Sequence, residues 1–535
     1  MGVYLDPGFK KFEMTVKSQI YVDKTNLIEE TNRVLGTEQR YLCVSRPRRF
    51  GKSVTAHMLA AYYCKGVESS AIFDAYQIAK SKSYKLYQNH YHVIALNMQD
   101  FFTYNKSVEK IICLLEAAVL DELKETFPNV IKQNMHMLSM ALDKIYAKTG
   151  EQFIFIIDEW DCLLRERKHK EEDQKRYLNF IRNLLKDKSY VALAYMTGIL
   201  PVKKYGTHSA LNMFDEYSMT DPHQFAEYVG FTESEVEKLC QQYQMDFNEM
   251  MIWYDGYTFA NIYKQGISIK VPHIYSPKSV VSALLNGRFG SYWTRTETYE
   301  ALKVYIEMNF NGLKDAVIHM MSGGKYTIDT GFFQNDMTHF QTKDDVLTLL
   351  VHLGYLAFNT EKSEVYIPNM EIREEYRLAI EGAKWDNVVN MIKASQMLLE
   401  ATWNMDCTKV AHMIDMIHTE NTSILSYNDE NSLSCVISLA YYSSTNYYTQ
   451  IRELPTGLGF ADIVFLPKKN SDKPAMIVEL KYNQSAKGAI SQIKEKNYVT
   501  SLKEYEGNLL LVGINYDKKS KKHQCIIETL SALTS

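Results

Sequence analysis

The chain has little proline and glycine and no long uncharged apolar run. Its 535 residues include 11 prolines and 24 glycines, which favours a helix-rich body with few long flexible linkers. No stretch approaches the roughly 18 apolar residues of a membrane-spanning helix. The opening residues, MGVYLDPGFKKFEM, lack the apolar core of a signal peptide. We therefore expect a cytoplasmic protein with no membrane segment, built from about three or four domains.

Paired cysteines and metal-binding histidine spacings are also missing. The eight cysteines contain no CxxC pair, and Cys43 and Cys113 lie inside apolar runs. Scattered thiols of this kind fit a reducing compartment better than a disulfide framework or a zinc site. The 14 histidines show no HExxH or comparable ligand spacing. We expect no structural metal.

The chain also lacks a strong charge of either sign. Its formal net charge is −4, which excludes a global basic footprint for nucleic acid. The last 85 residues are mildly basic, with 13 Lys and Arg against 9 Asp and Glu. Their most basic run is formed by Lys518, Lys519, Lys521 and Lys522. A solvated turn is the simpler interpretation of this run, but it also permits a nucleic-acid partner for the last domain.

Apolar runs alternate with helical patterns in the first part of the chain. YLCVS, HVIALNM, FIFIID and YVALAYMTG read as buried strands, and continuous apolar strands are typical of a parallel sheet covered on both faces. We predict an α/β domain over residues 1–205 and a mainly helical region over 206–424. A second α/β domain, with strands of alternating polarity, is predicted over 425–535.

The segment SRPRRFGKSVT, residues 45–55, follows the first strand and precedes a helix. Its end, Gly51-Lys52-Ser53, is that of a phosphate-binding loop, in which backbone N–H groups and the lysine hold phosphates and the serine hydroxyl binds Mg²⁺. Arg46 occupies the position of the opening glycine. A non-glycine there disfavours positive φ but leaves the donors at the helix start in place. The segment therefore predicts a P-loop NTPase sheet that binds ATP.

The third strand ends in Asp158 and Glu159. Carboxylates at the carboxyl end of a parallel strand can hold a Mg²⁺ ion and polarise the attacking water, roles that we assign to Asp158 and Glu159 respectively. Thr197 ends the fourth strand, where it can contact the γ-phosphate or the water. The alternative is a surface acidic turn and an ordinary strand-end threonine.

The arginines beside the loop allow two interpretations. They can neutralise phosphate charge, within one chain or across an oligomer interface, or they can form a solvated basic loop. With them, the predicted nucleotide-binding residues are Arg46, Pro47, Arg48, Arg49, Phe50, Gly51, Lys52, Ser53, Val54, Asp158 and Thr197.

Two alternating strands near the carboxyl terminus place three charged residues together. In FADIVFL and AMIVELK, the alternation predicts that Asp462, Glu479 and Lys481 meet when the strands are adjacent. Two carboxylates can bind Mg²⁺ for phosphodiester cleavage, and the lysine can orient the water or neutralise developing charge. The alternative is a surface salt bridge of little energetic weight.

Motifs along nearly the whole chain resemble one family. YVDKT, SRPRRFGKS, FIFIIDEWD, YMTGIL, WYDGY, YSPKSV, HLGYLAF and YIPNMEIREEY occur in that order. They resemble the AAA-ATPase-like proteins of bacteria and archaea that carry a C-terminal PD-(D/E)XK nuclease-like domain. In that family the arginine-rich loop without its opening glycine is usual. The resemblance implies an ATPase core, a helical and winged-helix middle region and a restriction-endonuclease-like α/β domain.

The resemblance also implies further site residues. Glu430, at the start of the helix entering the last domain, would join Asp462 and Glu479 as a metal ligand of that domain. The expected metal ligands of the ATP site are Ser53 and Asp158. Glu453 matches an acidic position before the aspartate strand, and Gln492 resembles the family's supporting glutamine. We expect Tyr498 to be a core or surface residue without a role in the site. The aromatics of WYDGY and YSPKS are expected to pack between domains, with stacking on nucleic-acid bases as the alternative.

The sequence thus predicts an ATPase, with Glu159 catalytic, joined to a nuclease whose catalytic residues are Asp462, Glu479, Lys481 and Gln492. The cofactors are ATP and Mg²⁺, and the partner is nucleic acid, with DNA favoured; a homo-oligomer remains open. The competing hypothesis is a nucleotide-gated switch or scaffold whose last domain binds nucleic acid without cutting it.

Overall fold

A computed structural model describes most of the chain. The described residues are 2–104, 107–132, 134–166, 171–202, 211–259, 262–264, 267–269, 273–293, 300–308, 310, 312–321, 323–331, 333, 340–382, 386–420, 430–456, 459–468, 471–496, 502, 505 and 507–529. They divide into two compact units, Met1–Thr296 with Thr327–Ile372, and Glu297–Tyr326 with Arg373–Ser535. In the described part of the chain, no helix is both long enough and apolar enough to cross a membrane.

A five-stranded parallel sheet forms the centre of the first unit. Its strands are β1 Tyr41–Ser45, β2 His92–Asn97, β3 Phe153–Asp158, β4 Val191–Gly198 and β5 Asp215–Tyr217. They lie in the order β2-β3-β4-β1-β5. All residues of β1, β3 and β4 are buried, as their continuous apolar sequences predict. The predicted parallel α/β fold is confirmed.

Ten helices of the described chain accompany this sheet. They are α1 Lys10–Val16, α2 Leu27–Val34, α3 Lys52–Tyr63, α4 Ser70–Phe73, α5 Tyr84–Tyr87, α6 Met98–Tyr104, α7 Val108–Thr126, α8 Leu138–Thr149, α9 Cys162–Glu166 and α10 Glu171–Leu185. The sequence pattern predicts helix over about 106–148, but the structure separates α7 from α8. Pro128 lies in the break, where it disfavours a continuous helix.

Short helices and hairpins make up the middle of the chain. The helices are α11 Glu233–Tyr243, α12 Phe247–Tyr254, α13 Pro277–Asn286, α14 Glu300–Ile306, α15 Leu313–Met321, α16 Lys343–Leu353, α17 Met370–Gly382, α18 Asp386–Trp403 and α19 Cys407–Glu420. The strands are β6 Phe231–Thr232, β7 Ile262–Lys264, β8 Ile267–Ile269, β9 Ile274–Tyr275, β10 Tyr326–Thr327, β11 Ala357–Asn359 and β12 Glu364–Tyr366.

Local signals in the sequence delimit α16. Thr342 and Asp345 form a capping box at its start, and Gly354 ends it with a left-handed φ of 88°. The antiparallel hairpin β11–β12 follows. A helix followed by a hairpin agrees with a winged-helix arrangement, which stays a prediction for this region.

A mixed five-stranded sheet forms the carboxy-terminal domain. Its elements are α20 Glu430–Ala440, β13 Tyr448–Thr456, β14 Gly459–Pro467, β15 Ala475–Tyr482, α21 Ala486–Glu495, β16 Leu509–Asp517 and β17 Lys522–Thr529. The strands follow the order β13-β14-β15-β16-β17, with β15 and β16 parallel and the other pairs antiparallel. The predicted adjacency of FADIVFL and AMIVELK is confirmed, because these segments form β14 and β15.

Candidate functional sites

The loop between β1 and α3 has the backbone of a phosphate-binding turn. Arg49 has φ 69° and Gly51 has φ 94°, and Gly51 directly precedes the first residue of α3. A left-handed φ is costly for most side chains but not for glycine, which explains Gly51. This turn brings backbone N–H groups to the helix N-terminus, where anions bind favourably.

Arg46, in the place of the expected opening glycine, points into the protein. Its side chain is fully buried, and its guanidinium donates to the carbonyl oxygens of Tyr217 at 2.9 Å, Ser218 at 3.1 Å and Phe225 at 3.3 Å. It also donates to the carbonyl of Ser45 at 2.8 Å. Burial lowers the pKa of Arg46 to about 10. Arg46 therefore ties the loop to β5 and the following turn.

Lys52 and Ser53 face the acidic end of β3. The ammonium of Lys52 is buried and donates to the carbonyl oxygen of Pro47 at 2.9 Å. Burial lowers the pKa of Lys52, and attraction by Glu159 and Asp158 opposes the shift. The Ser53 hydroxyl hydrogen-bonds to Asp158. The sequence prediction that these groups converge agrees with this geometry.

A cavity of about 620 Å³ opens in front of the loop. Residues 48–55 and Glu159 are among the residues that line it. Ile20, Val22, Phe231 and Val281 are among the apolar side chains that line it elsewhere. Ligand sites commonly combine apolar walls with a few converging polar groups, and this volume lies within their usual range. Val54, assigned to the site from its position in the loop, also lines the cavity.

The acidic pair at the end of β3 is held tightly. Asp158 is 5% exposed, and burial raises its pKa against the hydrogen bond from Ser53. Glu159 has φ 52° and forms an ion pair with Arg165, while burial raises its pKa too. Arg165 also contacts Asp161 at 3.1 Å. These contacts fix the direction of the Glu159 carboxylate.

Thr197 lies beside Asp158 in the sheet. The parallel register pairs Asp158 with Thr197, and Thr197 with Val44 of β1, which ends one residue later at Ser45, just before the phosphate loop. Thr197 is fully buried, and its hydroxyl has no hydrogen-bond partner among the described residues. Because an unsatisfied buried hydroxyl is costly, this position is suited to a ligand or water contact.

The other loop residues contact segments from the middle of the chain. Arg49 donates to the carbonyl oxygens of Tyr292 and Trp293, and Phe50 packs edge-on against Tyr257 at 5.3 Å. Tyr257 is buried and donates to the Gly354 carbonyl oxygen at 2.6 Å. Tyr257 of WYDGY is therefore packed against the loop, while packing of these aromatics between domains stays a prediction. Arg48 lines the cavity.

Glu371 holds the Tyr292–Trp293 backbone that Arg49 contacts, a role that the sequence analysis did not predict. It is 1% exposed and accepts hydrogen bonds from the N–H groups of Tyr292 at 2.6 Å and Trp293 at 2.9 Å. Its other oxygen accepts from the Ser279 hydroxyl at 2.7 Å. Burial raises the pKa of Glu371 to about 7. No local pattern signals this role, because its partners are 78 to 92 positions away.

Asp161 and Arg165 were missed as well, although a signal existed. In DEWDCLLRE they are four residues apart, a spacing that joins opposite charges on a helix. Asp161 also accepts from the N–H groups of Ile199 at 3.0 Å and Leu200 at 2.7 Å. It thereby ties the start of α9 to the chain that follows β4.

The second candidate site lies on β14 and β15. One oxygen of Asp462 accepts from the N–H of Leu480 at 2.7 Å, which draws the Asp462 carboxylate to the neighbouring strand. Lys481 lies 3.5 Å from Glu479, and Gln492 of α21 donates to the same Glu479 oxygen. The four predicted residues are therefore in one cluster.

Glu479 is a buried carboxyl with a raised pKa. It is 1% exposed, and burial together with repulsion from Asp462 raises its pKa to about 7, while Lys481 opposes the shift. Its second oxygen has no hydrogen-bond partner among the described residues. The alternative of a solvated surface salt bridge does not fit this burial, since Lys481 is only 9% exposed.

Gly513 allows α21 to reach the cluster. It pairs with Glu479 in the register of β15 and β16. A Cβ atom at this position would come within 2.5 Å of the Ala486 carbonyl oxygen and 3.0 Å of Ile490. The bare backbone lets α21 pack closely, so Gln492 can contact Glu479.

Some predicted residues cannot be placed. Glu430 is the first residue of α20 and Glu453 lies on β13, but their side chains are outside the described set, as is Tyr498 entirely. Within that set, no group of three or more His, Cys, Asp and Glu residues could hold a metal ion. Two carboxylates, Asp462 and Glu479, are nevertheless close together. An oxygen of Glu479 without a partner fits a site for a hard divalent cation, which prefers oxygen ligands.

Comparisons with known proteins identify both parts of the chain. Residues 7–207 match the family described as predicted AAA-ATPase, and residues 428–525 match the PD-(D/E)XK nuclease superfamily. An uncharacterized protein in the vnfD 5' region of Azotobacter chroococcum mcd 1 is 22% identical over 293 residues. That match covers 52% of this chain and 51% of the relative, so the chain spans about half the length of the curated relative it matches.

Solved structures resemble the chain only weakly. The ORC2 protein of Aeropyrum pernix, in ADPNP–ADP complexes, gives a TM-score of 0.30 at 11% identity, over 68% of this chain and 97% of that one. A STAND ATPase with a tetratricopeptide repeat sensor from Pyrococcus horikoshii gives 0.24 at 11% identity, over 80% and 53%. CDC6P from Pyrobaculum aerophilum gives 0.23 at 11% identity, over 68% and 97%.

Each of the two matched ranges contains one of the five-stranded sheets, or most of it, and one of the two residue clusters described above. The chain therefore carries a domain that matches the predicted AAA-ATPase family in residues 7–207 and a carboxy-terminal domain that matches the PD-(D/E)XK nuclease superfamily in residues 428–525.

Proposed function

We propose that this protein binds and hydrolyses ATP and cleaves phosphodiester bonds of nucleic acid, with DNA as the favoured substrate, in a Mg²⁺-dependent reaction. The observation that carries the nuclease assignment is the buried Glu479. It is grouped with Asp462, Lys481 and Gln492 and retains an oxygen without a partner among the described residues. Burying a charged group in this way is costly, and such costs are concentrated at functional sites.

In the proposed ATP site, Lys52 leaves the Pro47 carbonyl oxygen to contact the β- and γ-phosphates, and the N–H groups of the loop hold the phosphate oxygens. Ser53 and Asp158 would hold Mg²⁺, which neutralises phosphate charge when bound. Glu159 orients the attacking water, with Arg165 setting its direction. Thr197 contacts this water or the γ-phosphate. Arg48 and Arg49 neutralise phosphate charge, whereas Arg46 holds the loop in place.

In the proposed nuclease site, Asp462 and Glu479 would hold Mg²⁺, and Glu430 would complete the ligands. The ion supplies charge stabilisation and an activated water for phosphodiester cleavage. Lys481 orients the water or neutralises the developing charge, and Gln492 fixes the direction of the Glu479 carboxylate. Buried Glu479 gives up its proton more readily when a cation is near, since opposite charge lowers a carboxyl pKa.

We further infer a cytoplasmic location, which the free thiols of Cys43, Cys64, Cys162 and Cys240 support. Assembly of several copies is compatible with the arginines of the loop. ATP binding would gate cleavage through the middle region, which packs against the loop at Tyr257 and Trp293.

A panel of substrates tests the proposal. Purified protein is incubated with linear duplex, circular duplex and single-stranded DNA and with RNA, in Mg²⁺ or EDTA and with or without ATP. We expect new ends only in Mg²⁺, and their distribution identifies the substrate. Retention of nucleic acid without any new ends in every condition would overturn the nuclease assignment and favour the nucleotide-gated binding protein instead.

A further inference from the structure

The turn between β16 and β17 carries the most basic run of the chain. Lys518, Lys519, Lys521 and Lys522 are all exposed, and the only acidic residue among them is Asp517. None of the four ammonium groups forms an ion pair with a carboxylate in the part of the chain that the structure describes. The ammonium groups of Lys519 and Lys522 attract the carboxylates of Asp517 and Asp415 only at longer range. The turn therefore presents four exposed lysine side chains to solvent, with Asp517 as the one acidic residue among them.

This turn, residues 517–522, is well ordered by its own hydrogen bonds. Asp517 accepts from the N–H of Lys519 at 2.9 Å and from the Ser520 hydroxyl at 2.7 Å. These bonds hold the pKa of Asp517 below its usual value. Lys521 has a left-handed φ of 56°. Because these hydrogen bonds fix the backbone, little backbone entropy would be lost when the lysines bind an anion, and the ordering cost would be confined to the lysine side chains.

The turn is joined to the strand that carries the nuclease cluster. Asn483 accepts from the N–H of Lys518 at 2.7 Å and donates its own N–H to the Tyr516 carbonyl oxygen at 2.8 Å. It lies two residues beyond Lys481, which is at most about 7 Å along the chain. One strand of duplex DNA advances about 3.4 Å per nucleotide, so the turn lies within a few nucleotides of a phosphate held at Lys481.

The register also places part of the turn on the face of the cluster. Lys481 pairs with Asn515, and Asp517, two residues further, pairs with Lys522. Residues two apart on a strand share a face, as do paired residues. Lys522 therefore projects from the same face of the sheet as Glu479 and Lys481.

We propose that the 517–522 turn binds the phosphate backbone of nucleic acid and holds it across the nuclease cluster. The inference rests on the proposed nuclease function and adds the surface that captures its substrate. The contacts would be electrostatic and independent of base sequence, because lysine recognises phosphate as a point charge. DNA and RNA share this backbone, and the test separates them.

The test compares one variant with a matched control. The variant combines Lys518→Ala, Lys519→Ala, Lys521→Ala and Lys522→Ala. The control removes the same charge from exposed lysines elsewhere, by Lys110→Ala, Lys132→Ala, Lys144→Ala and Lys148→Ala. Affinity for fluorescent duplex DNA, single-stranded DNA and RNA of equal length is measured in EDTA over a range of salt concentrations. Thermal melting verifies that both variants are folded.

We expect the turn variant to bind at least one of these nucleic acids about tenfold more weakly than the control protein at moderate salt. On duplex DNA, the slope of log affinity against log salt should fall by about 0.9 for each phosphate that the variant no longer neutralises. Weaker binding to one nucleic acid alone identifies the substrate. Affinities and slopes equal to those of the control on all three would overturn the proposal.

A second variant tests the link to the catalytic strand. Asn483→Gly keeps the left-handed φ of 54° but removes the acceptor of the Lys518 N–H. It should weaken binding less than removal of the lysines and slow cleavage in Mg²⁺. Cleavage by the wild-type protein is assayed in parallel. If the wild-type protein cleaves nucleic acid and the lysine variant binds it normally, only the turn proposal fails. If the wild-type protein never cleaves, the nuclease assignment fails separately.

Discussion

Lys52 and Lys481 are buried lysines that face carboxylates, one in each candidate site. Lys52 is attracted by Asp158 and Glu159, and Lys481 lies 3.5 Å from Glu479. A buried cation is costly unless nearby anions or hydrogen bonds compensate it. The same arrangement suits a phosphate group that arrives with a divalent cation, because the lysine then exchanges one anionic partner for another.

Removing the Lys52 charge should weaken ATP binding. Lys52→Met keeps much of the side-chain volume but loses the ammonium group. A hydrogen bond to a charged group contributes about 1.5–3 kcal/mol, so we expect ATP affinity to fall by roughly ten- to a hundredfold. Titration of a fluorescent ATP analogue measures this change. Lys144→Ala, an exposed residue of α8, is the control; equal affinity for the two variants would contradict the assignment.

The Glu371 carboxyl should make stability depend on pH. Its pKa is raised to about 7 in the folded protein, above the ordinary value of about 4.3 for glutamate. Between these values the folded state binds a proton that the unfolded state does not, so this group's contribution to stability falls as pH rises from about 4.5 to 7. About one unit above pH 7, where the folded-state carboxyl is also ionised, the contribution becomes constant.

Glu371→Gln isolates this effect. The amide oxygen can still accept from the N–H groups of Tyr292 and Trp293, and its NH₂ can donate to the Ser279 hydroxyl. Melting temperatures are measured from pH 5 to 8 for the wild type, this variant and Glu38→Gln, whose side chain is 94% exposed. The difference in melting temperature, Glu371→Gln minus wild type, should increase as pH rises. Parallel curves for all three proteins would contradict the prediction.

At the scale of elements, the phosphate loop is fixed by segments far away in the sequence. Arg46 holds the carbonyl oxygens that follow β5, and Glu371 at the start of α17 holds the Tyr292–Trp293 backbone that contacts Arg49. A loop that lacks its opening glycine thus gains its geometry from tertiary hydrogen bonds. This explains how Arg46 can occupy that position.

Replacing Arg46 should therefore lower the free energy of unfolding, because its side chain holds the loop and does not contact phosphate. Arg46→Met leaves four buried carbonyl oxygens without this donor, and each unsatisfied buried group costs about 1–3 kcal/mol. We expect a loss of at least about 3 kcal/mol in the free energy of unfolding, measured with urea, and a smaller loss for Arg46→Lys. Unchanged stability combined with lower ATP affinity would show that Arg46 contacts phosphate instead.

Local patterns predicted the elements better than the contacts between them. The apolar strands and the alternation around Asp462 and Glu479 follow from short-range sequence, and so does the position of Lys52 before α3. The ion pair of Arg165 with Asp161 was readable from its spacing. The sequence did not predict that the Arg46 side chain points into the protein, nor the role of Glu371. Their hydrogen-bond partners lie 78 to 179 residues away and are brought close only by the folded backbone.

At the scale of the whole molecule, two candidate sites for phosphate chemistry occur in one chain. Each joins buried carboxylates to a lysine, and one lies in the AAA-ATPase domain while the other lies in the nuclease superfamily domain. The proposed function requires that the two activities can be separated by mutation. It also requires that ATP acts on cleavage through the chain that connects them.

The most direct measurement is therefore a parallel assay of ATP hydrolysis and nucleic-acid cleavage in Mg²⁺ for the wild type, Asp462→Asn and Lys52→Met. Asp462→Asn keeps the shape of the side chain but removes the charge that would hold the ion. The account predicts that Asp462→Asn loses cleavage by at least about a hundredfold and retains ATP hydrolysis. Lys52→Met should lose ATP hydrolysis together with any stimulation of cleavage by ATP. Cleavage by Asp462→Asn at the wild-type rate would contradict the central claim.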